Sequence, residues 1–175
     1  MMAVYRGCTL LLNGFQLSDT VSYTPPELKI TEKWFRAGNM NAPVPVDTGM
    51  EPMTAVFRIA GMSEGTYVLF GMVPGVRARL TVRRVYRDEQ SIDYLEDQVE
   101  GFISSIRPDE HGNGDRTEVG KVITVSVSYY SVAINGLIPI LEINPVLGLR
   151  KIMSINVLEL PDNLISAAKG FIGGV

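Results

Sequence analysis

The run KVITVSVSYYSVAI, residues 121–134, narrows the folds open to this chain more than any other stretch. Its side chains alternate with period two, the repeat of a half-buried strand. It runs into Asn135-Gly136, a dipeptide suited to a type I′ hairpin turn, and LIPILEINPV returns from that turn. The N-terminal CTLLLNGFQLSD repeats the construction with an apolar run, Asn13-Gly14 and a short return strand. A chain punctuated in this way is built from antiparallel hairpins.

Between these ends, ELKITEKWF (27–35) alternates, with Leu28, Ile30 and Trp34 on one side and Lys29, Thr31 and Lys33 on the other. EPMTAVFRIAG (51–61) sets Met53, Ala55, Phe57 and Ile59 opposite Thr54 and Arg58. The spacing predicts these two strands as the legs of one long hairpin. Two further strands are expected over about 76–87 and 94–107, joined through RDEQSID, and RPDEHGNGDRTEVG (107–120) reads as a polar loop. MSEGTYVLFGMVPG (62–75) predicts a short helix capped by Ser63 and ended by Pro74-Gly75. In DNLISAAKGFIGGV, Asp162 or Asn163 could cap another, ended by Gly170. The expected architecture is mainly β, an antiparallel β-barrel or sandwich with a short flanking α-helix, in one domain over residues 1–175.

Composition bounds the function. An apolar fraction of 46% with 20% charged residues excludes intrinsic disorder. A net charge of −3 argues against a nucleic-acid-binding surface, which carries a basic excess. Arg is dense in VRARLTVRRVYR (76–87), but a strand splits those charges between two faces. The single cysteine, Cys8, allows no internal disulfide and reads as a small buried hydrophobe. The opening MMAVYRGCTLLLNG is too short in its apolar run for a signal peptide. No apolar stretch reaches the roughly 18 residues of a membrane-spanning helix. Synthesis in the cytoplasm and no stable membrane association are therefore expected.

Catalytic chemistry finds no constellation. The one histidine, His111, lies in DEHGNGD without a second soft ligand, and Asp109, Glu110 and Asp115 lack the alternation of a calcium loop. Asp93, Glu96, Asp97 and Glu100 fall on both faces of a strand, and GMVPG and GNG are turns without phosphate-loop spacing. The expectation is no enzyme, no metal and no cofactor. Two uses remain open for the polar faces carrying Lys29, Lys33, Thr54 and Arg58. They are a solvated exterior, or the lining of a wide channel made when sheets of several subunits join edge to edge.

FRAGNMNAPVPVDTGM (35–50) is different in kind: nearly uncharged, without periodicity, and held between two strands. Met40, Met50 and Met53, with Pro43 and Pro45 stiffening the chain, form an adaptable apolar surface of the sort that meets a partner. Asp47-x-Gly49 reads as a turn in which the Asp side chain binds backbone and the glycine takes a positive φ, with or without an interface role.

WFRAGNMNAPVPVDTGMEPM resembles the tail tube proteins of contractile-tailed bacteriophages, the family of phage P2 and the R-type pyocins. Phe35, Arg36, Gly38, Met40, Pro45, Val46, Asp47, Gly49, Met50 and Glu51 stand in that family's order. LLLNGFQL and VSVSYYSVAINGLIPILEINPVLGLRKI resemble its early and late hairpins, so the likeness covers most of residues 9–152. From about 153 the chain departs into a more apolar ending, a C-terminal extension over about 153–175.

The resemblance implies a tail-tube (Hcp-like) fold and a subunit of the inner tube, six copies closing a ring and rings stacking inside a sheath. Residues 36–50 would be a stacking arm, with Arg36, Gly38, Met40, Val46, Asp47, Gly49 and Met50 at inter-ring or inter-subunit contacts. Lys29, Lys33, Thr54 and Arg58 would face the lumen, with Glu96 or Glu100 offsetting those cations. Partners would be further copies, the sheath, a baseplate or tube initiator, a tape measure protein in the lumen and, in a phage, DNA in transit. The location would be the virion tail or a phage-tail-like particle. Two alternatives are a monomeric β-barrel that binds a small ligand and a type VI secretion tube ring.

Overall fold

A computed structural model describes residues 3–18, 21–60, 67, 70, 77–88, 90–114 and 119–158. They form one ten-stranded antiparallel sheet and a separate two-stranded ribbon. In chain order the strands are β1 (Val4–Leu12), β2 (Phe15–Ser18), β3 (Val21–Thr24), β4 (Ile30–Phe35), β5 (Val44–Met50) and β6 (Met53–Ala60). They continue as β7 (Ala78–Arg87), β8 (Ile92–Pro108), β9 (Gly120–Ile134), β10 (Ile138–Asn144), β11 (Leu149–Ile152) and β12 (Ile155–Asn156). Both Asn-Gly turns form as expected: Asn13 and Gly14 have φ of 49° and 88°, Asn135 and Gly136 have φ of 52° and 68°.

The long strands β8 and β9 are the spine. β8 pairs with β7, β7 with β1, and β1 with β2. On its other side β9 forks. Its first half, Gly120 to Val127, pairs with β6, which carries β3, while its last residues pair with β10, followed by β11 and β12. Inward-facing side chains from β1, β6, β7, β8, β9 and β10 make the core, with Leu10, Phe57, Ile59, Val82, Val99, Ile103 and Val125 almost wholly buried. The inward set Met53, Ala55, Phe57 and Ile59 is the one the alternation marks.

The barrel expectation needs correction. β3 comes alongside β1, yet among the described residues no ladder joins them, so the sheet curls without closing. Side chains bridge where hydrogen bonding stops. Tyr23 on β3 stacks on Phe57 at 4.9 Å between ring centroids and donates to the Asp97 carboxylate on β8 at 3.0 Å. Tyr130 on β9 donates to the same oxygen at 3.1 Å, and Arg84 on β7 meets the other at 2.6 Å. One buried carboxylate thus gathers four strands. Burial, reinforced by the Asp97 charge, raises the pKa of both tyrosines well above the usual phenol range.

The expected helix over 62–75 lies almost entirely outside the described residues, as does the one expected near 162–170. The described helical structure is a 3-10 turn, Pro145–Leu147, with Asn144 as its N-cap, and a single helical residue, Tyr67.

Candidate assembly arm and outer face

The chain after β3 leaves the sheet. β4 pairs with β5, not with β6, so the long hairpin expected between 27–35 and 51–61 is corrected: β6 lies in the main sheet and β4 stands in the ribbon. The reason is local. Val44 and Val46 set a strand period within the supposed loop, and Pro45, opposite Trp34, is tolerated because a two-stranded ribbon is all edge. Every residue of β4 is exposed, including Trp34 at 65% and Phe35 at 57%. Leu28, Ile30, Val44 and Val46 are exposed too.

The ribbon is nevertheless ordered by its own bonds. At its tip Met40 N–H donates to Ala37 C=O at 3.0 Å, Ala37 N–H meets Met40 Sδ at 3.2 Å, and Arg36 Nε donates to Met40 C=O at 3.3 Å. Met40 is therefore half-buried in its own turn. Met53, expected to share the methionine contact surface, belongs to the core instead. At the root, Gly49 has φ of 123° and its N–H donates to Asp47 Oδ1 at 2.8 Å. Asp47 thus binds backbone as its spacing suggests, within a strand whose register shifts by a bulge between the partners of Ile30 and Glu32.

Asp47 Oδ2 also accepts from Arg150 Nη1 on β11 at 2.6 Å, a contact between residues far apart in sequence. The Arg150 bond, with the Gly49 N–H, holds the Asp47 carboxyl below its usual pKa. Lys29 pairs with Glu51 at 3.0 Å across the ribbon's root, which raises the lysine pKa. Asp47, Gly49 and Met50 then form one wall of an open groove of about 550 Å³. Ile143, Pro145, Gly148, Leu149, Arg150, Val157 and Leu158 complete it.

The proposed lumen residues divide. Thr54, Arg58, Glu96 and Glu100 share the outward face of the large sheet, opposite the core. Lys29 and Lys33 do not join them, since both belong to the ribbon and its root. Within the chain, Glu96 and Glu100 have nearer partners than those cations. Glu96 pairs with Arg83 at 3.0 Å and Glu100 with Arg79 at 2.6 Å, while Arg58 pairs with Asp109 at 2.9 Å. The arginines of β7 were the missing partners. Their alternation in RARLTVRR, placing Arg79 and Arg83 on one face, was the signal for them.

A two-sided ribbon with exposed apolar side chains, attached to a sheet whose outward arginines are paired, is a surface of the kind that meets a partner. A family model described as phage tail tube protein FII matches residues 4–160, and the chain belongs to that family. Its role is structural, as a component of the tail tube. No curated protein matches the chain.

Proposed function

We propose that this chain is the repeating subunit of the inner tube of a contractile tail, in a phage or a phage-tail-like particle. Six copies close a ring in which neighbouring sheets join edge to edge, and rings stack head to tail. A heterologous contact of that kind propagates into an open polymer. The observation that carries this reading is the β4–β5 ribbon, whose aromatic and aliphatic side chains stand exposed and are not covered by any of the described residues. Arg36, Gly38, Val46, Asp47, Gly49 and Met50 work there, with Met40 shaping the tip.

The sheath drives the tube through the target envelope. The tube begins on a baseplate initiator, holds a tape measure protein and, in a phage, conducts DNA. The outward sheet face suits a conduit, because Arg79, Arg83 and Arg58 are each neutralised by a carboxylate and offer a polyanion no unopposed basic track. Support against the ligand-binding barrel comes from the interior. The space bounded by Leu10, Leu12, Phe57, Ile59, Leu80, Ile103 and Ile123 is about 10 Å³, whereas small-molecule sites run to roughly 300 Å³ or more.

Negative-stain electron microscopy of the purified protein, at two concentrations and with the cognate initiator, tests the proposal. Hollow six-fold rings or tubes are expected. A monomer under every condition, initiator included, would overturn it.

A further inference from the structure

We infer that the groove at the root of the ribbon is the seat of the stretch that follows β12 in the same chain, residues 159–175, which straps the arm to the body. Met50, Ile143, Pro145, Leu149, Val157 and Leu158 supply the apolar walls. The charged groups among the lining residues, Asp47 and Arg150, are bonded to each other. A groove of that character attracts neither an anion nor a cation and gains by covering apolar surface. The contact lies within one chain, so it holds or fails whether or not rings form.

One donor in the wall needs more than apolar cover. Arg150 Nε is buried and has no acceptor among the described residues, although the same guanidinium reaches Asp47 through Nη1. Buried polar atoms in folded proteins nearly all have a partner, and here an occupant would bring it. A peptide supplies both parts, main-chain carbonyls for the donor and side chains for the walls. The size agrees, since about 550 Å³ is within the range that encloses a drug-sized molecule.

The sequence after β12 has the composition of a stretch that is covered. ELPDNLISAAKGFIGGV sets Leu160, Leu164, Ile165, Phe171 and Ile172 against three charged residues, Glu159, Asp162 and Lys169. The family match ends at residue 160, so the family pattern does not account for most of them. The chain path selects the same copy as host. Val157 N–H donates to Arg150 C=O at 2.8 Å, and Leu158 N–H donates to Asn156 Oδ1 at 3.3 Å. Val157 and Leu158 are themselves walls of the groove, so residue 159 starts at its edge. A segment tethered there closes a loop of a few residues, at little entropic cost and at an effective concentration of order millimolar. An occupant touching Gly49 and Met50 on one side and β11 on the other ties the ribbon's root to the sheet beside the Asp47–Arg150 bond.

Two double-cysteine proteins in a Cys8→Ser background test the assignment under mild oxidation. Leu164→Cys is common to both. It is paired with Met50→Cys on the far wall of the groove, or with Met153→Cys, which is 67% exposed in the turn between β11 and β12. Leu164 follows Leu158 by about 20 Å of extended chain at roughly 3.3 Å per residue, enough to reach the turn as well as the groove. The Met50 pair is expected to close an intrachain disulfide in the monomer about ten times faster than the Met153 pair. Deleting residues 159–175 gives an independent reading, an expected rise of about tenfold in amide exchange at Gly49, Val157 and Leu158 with β8 and β9 unchanged.

Equal rates for the two pairs would show a segment that does not dwell in the groove, and would overturn the inference. Disulfide-linked dimers of the Met50 variant in place of closed monomers would put the segment of a second copy there, and overturn the intrachain assignment. Unchanged exchange at all three amides after the deletion would overturn the strap as well. Should the deletion unfold the body, the disulfide rates of the intact chain decide alone.

Discussion

Asp97 is the residue on which the fold's geometry turns. A carboxylate at 0% exposure is costly unless its oxygens are satisfied, and here two phenols and a guanidinium satisfy them. Replacing Asp97 by Ala leaves a partly buried Arg84 without its counter-ion and two hydroxyls without an acceptor. Equilibrium unfolding in urea should show a loss of about 3–5 kcal/mol. Tyr23→Phe removes one of three donors, and a smaller loss of about 1.5 kcal/mol is expected. Equal losses in the two variants would mean that the carboxylate acts only through Tyr23.

The same cluster predicts behaviour in alkali. A phenol whose folded pKa is raised contributes stability that is fully present below the unfolded value of about 10 and is lost as pH climbs toward the folded one. Of the seven tyrosines, Tyr23 and Tyr130 should therefore stay protonated until the protein unfolds. A spectrophotometric titration in which all seven ionise together, with the far-ultraviolet spectrum still native, would contradict the burial of this cluster. The signal for Asp97 was in the sequence. In LEDQV it occupies the parity of Leu95 and Val99, the core-facing positions of β8, and a charge on that parity must find partners inside. Which partners it finds depends on pairing between distant strands, which no local pattern encodes.

At the level of elements, β4, β6, β7, β8 and both Asn-Gly hairpins were legible because alternation and turn chemistry are local, whereas the short β3, β11 and β12 were not. The partner of β4 was not. Pro45 and Gly49 read as breakers, and so concealed that Val44–Met50 is a strand. Leu28, Ile30 and Trp34 were expected on the half-buried side of a sheet, but the ribbon has no core behind it, and those side chains stand exposed. Alternation reports that a face will be covered without reporting whether the cover is the same chain. The Asp47–Arg150 bond is the described ion pair that ties the ribbon to β11, and its pH dependence has a definite sign. Because the Asp47 pKa is depressed, the anchoring is complete above the ordinary carboxylate value of about 4 and is lost as pH falls through the lower, folded one. Arg150→Gln should abolish that dependence and loosen the ribbon even at neutral pH. Amide exchange of residues 44–50 on the intact protein would detect it, with exchange in β8 and β9 unchanged. Uniform acceleration across all strands would instead make Arg150 a general stabilising residue.

For the whole molecule, the decisive property is that the body and the ribbon are stabilised by different things. None of the buried apolar side chains of the core comes from β4 or β5, and Met50 is only packed against its edge. The body should therefore fold without the arm, whereas an isolated two-stranded ribbon is marginal in water and gains its full order only when covered. Deleting residues 38–48 removes the tip and most of β5. The expected outcome is a monomer with a native β-sheet spectrum and a melting temperature within a few degrees of the intact chain, measured by circular dichroism. Analytical ultracentrifugation of that variant should show no stacked species at concentrations where the full chain forms tubes. If the deletion unfolds the body, the ribbon is part of the fold, and its exposed tryptophan and phenylalanine need another explanation. If the variant folds and still stacks, the axial contacts lie on the ends of the large sheet, where Leu137, Ile138 and Ile92 are also exposed, and the arm serves closure of the ring instead.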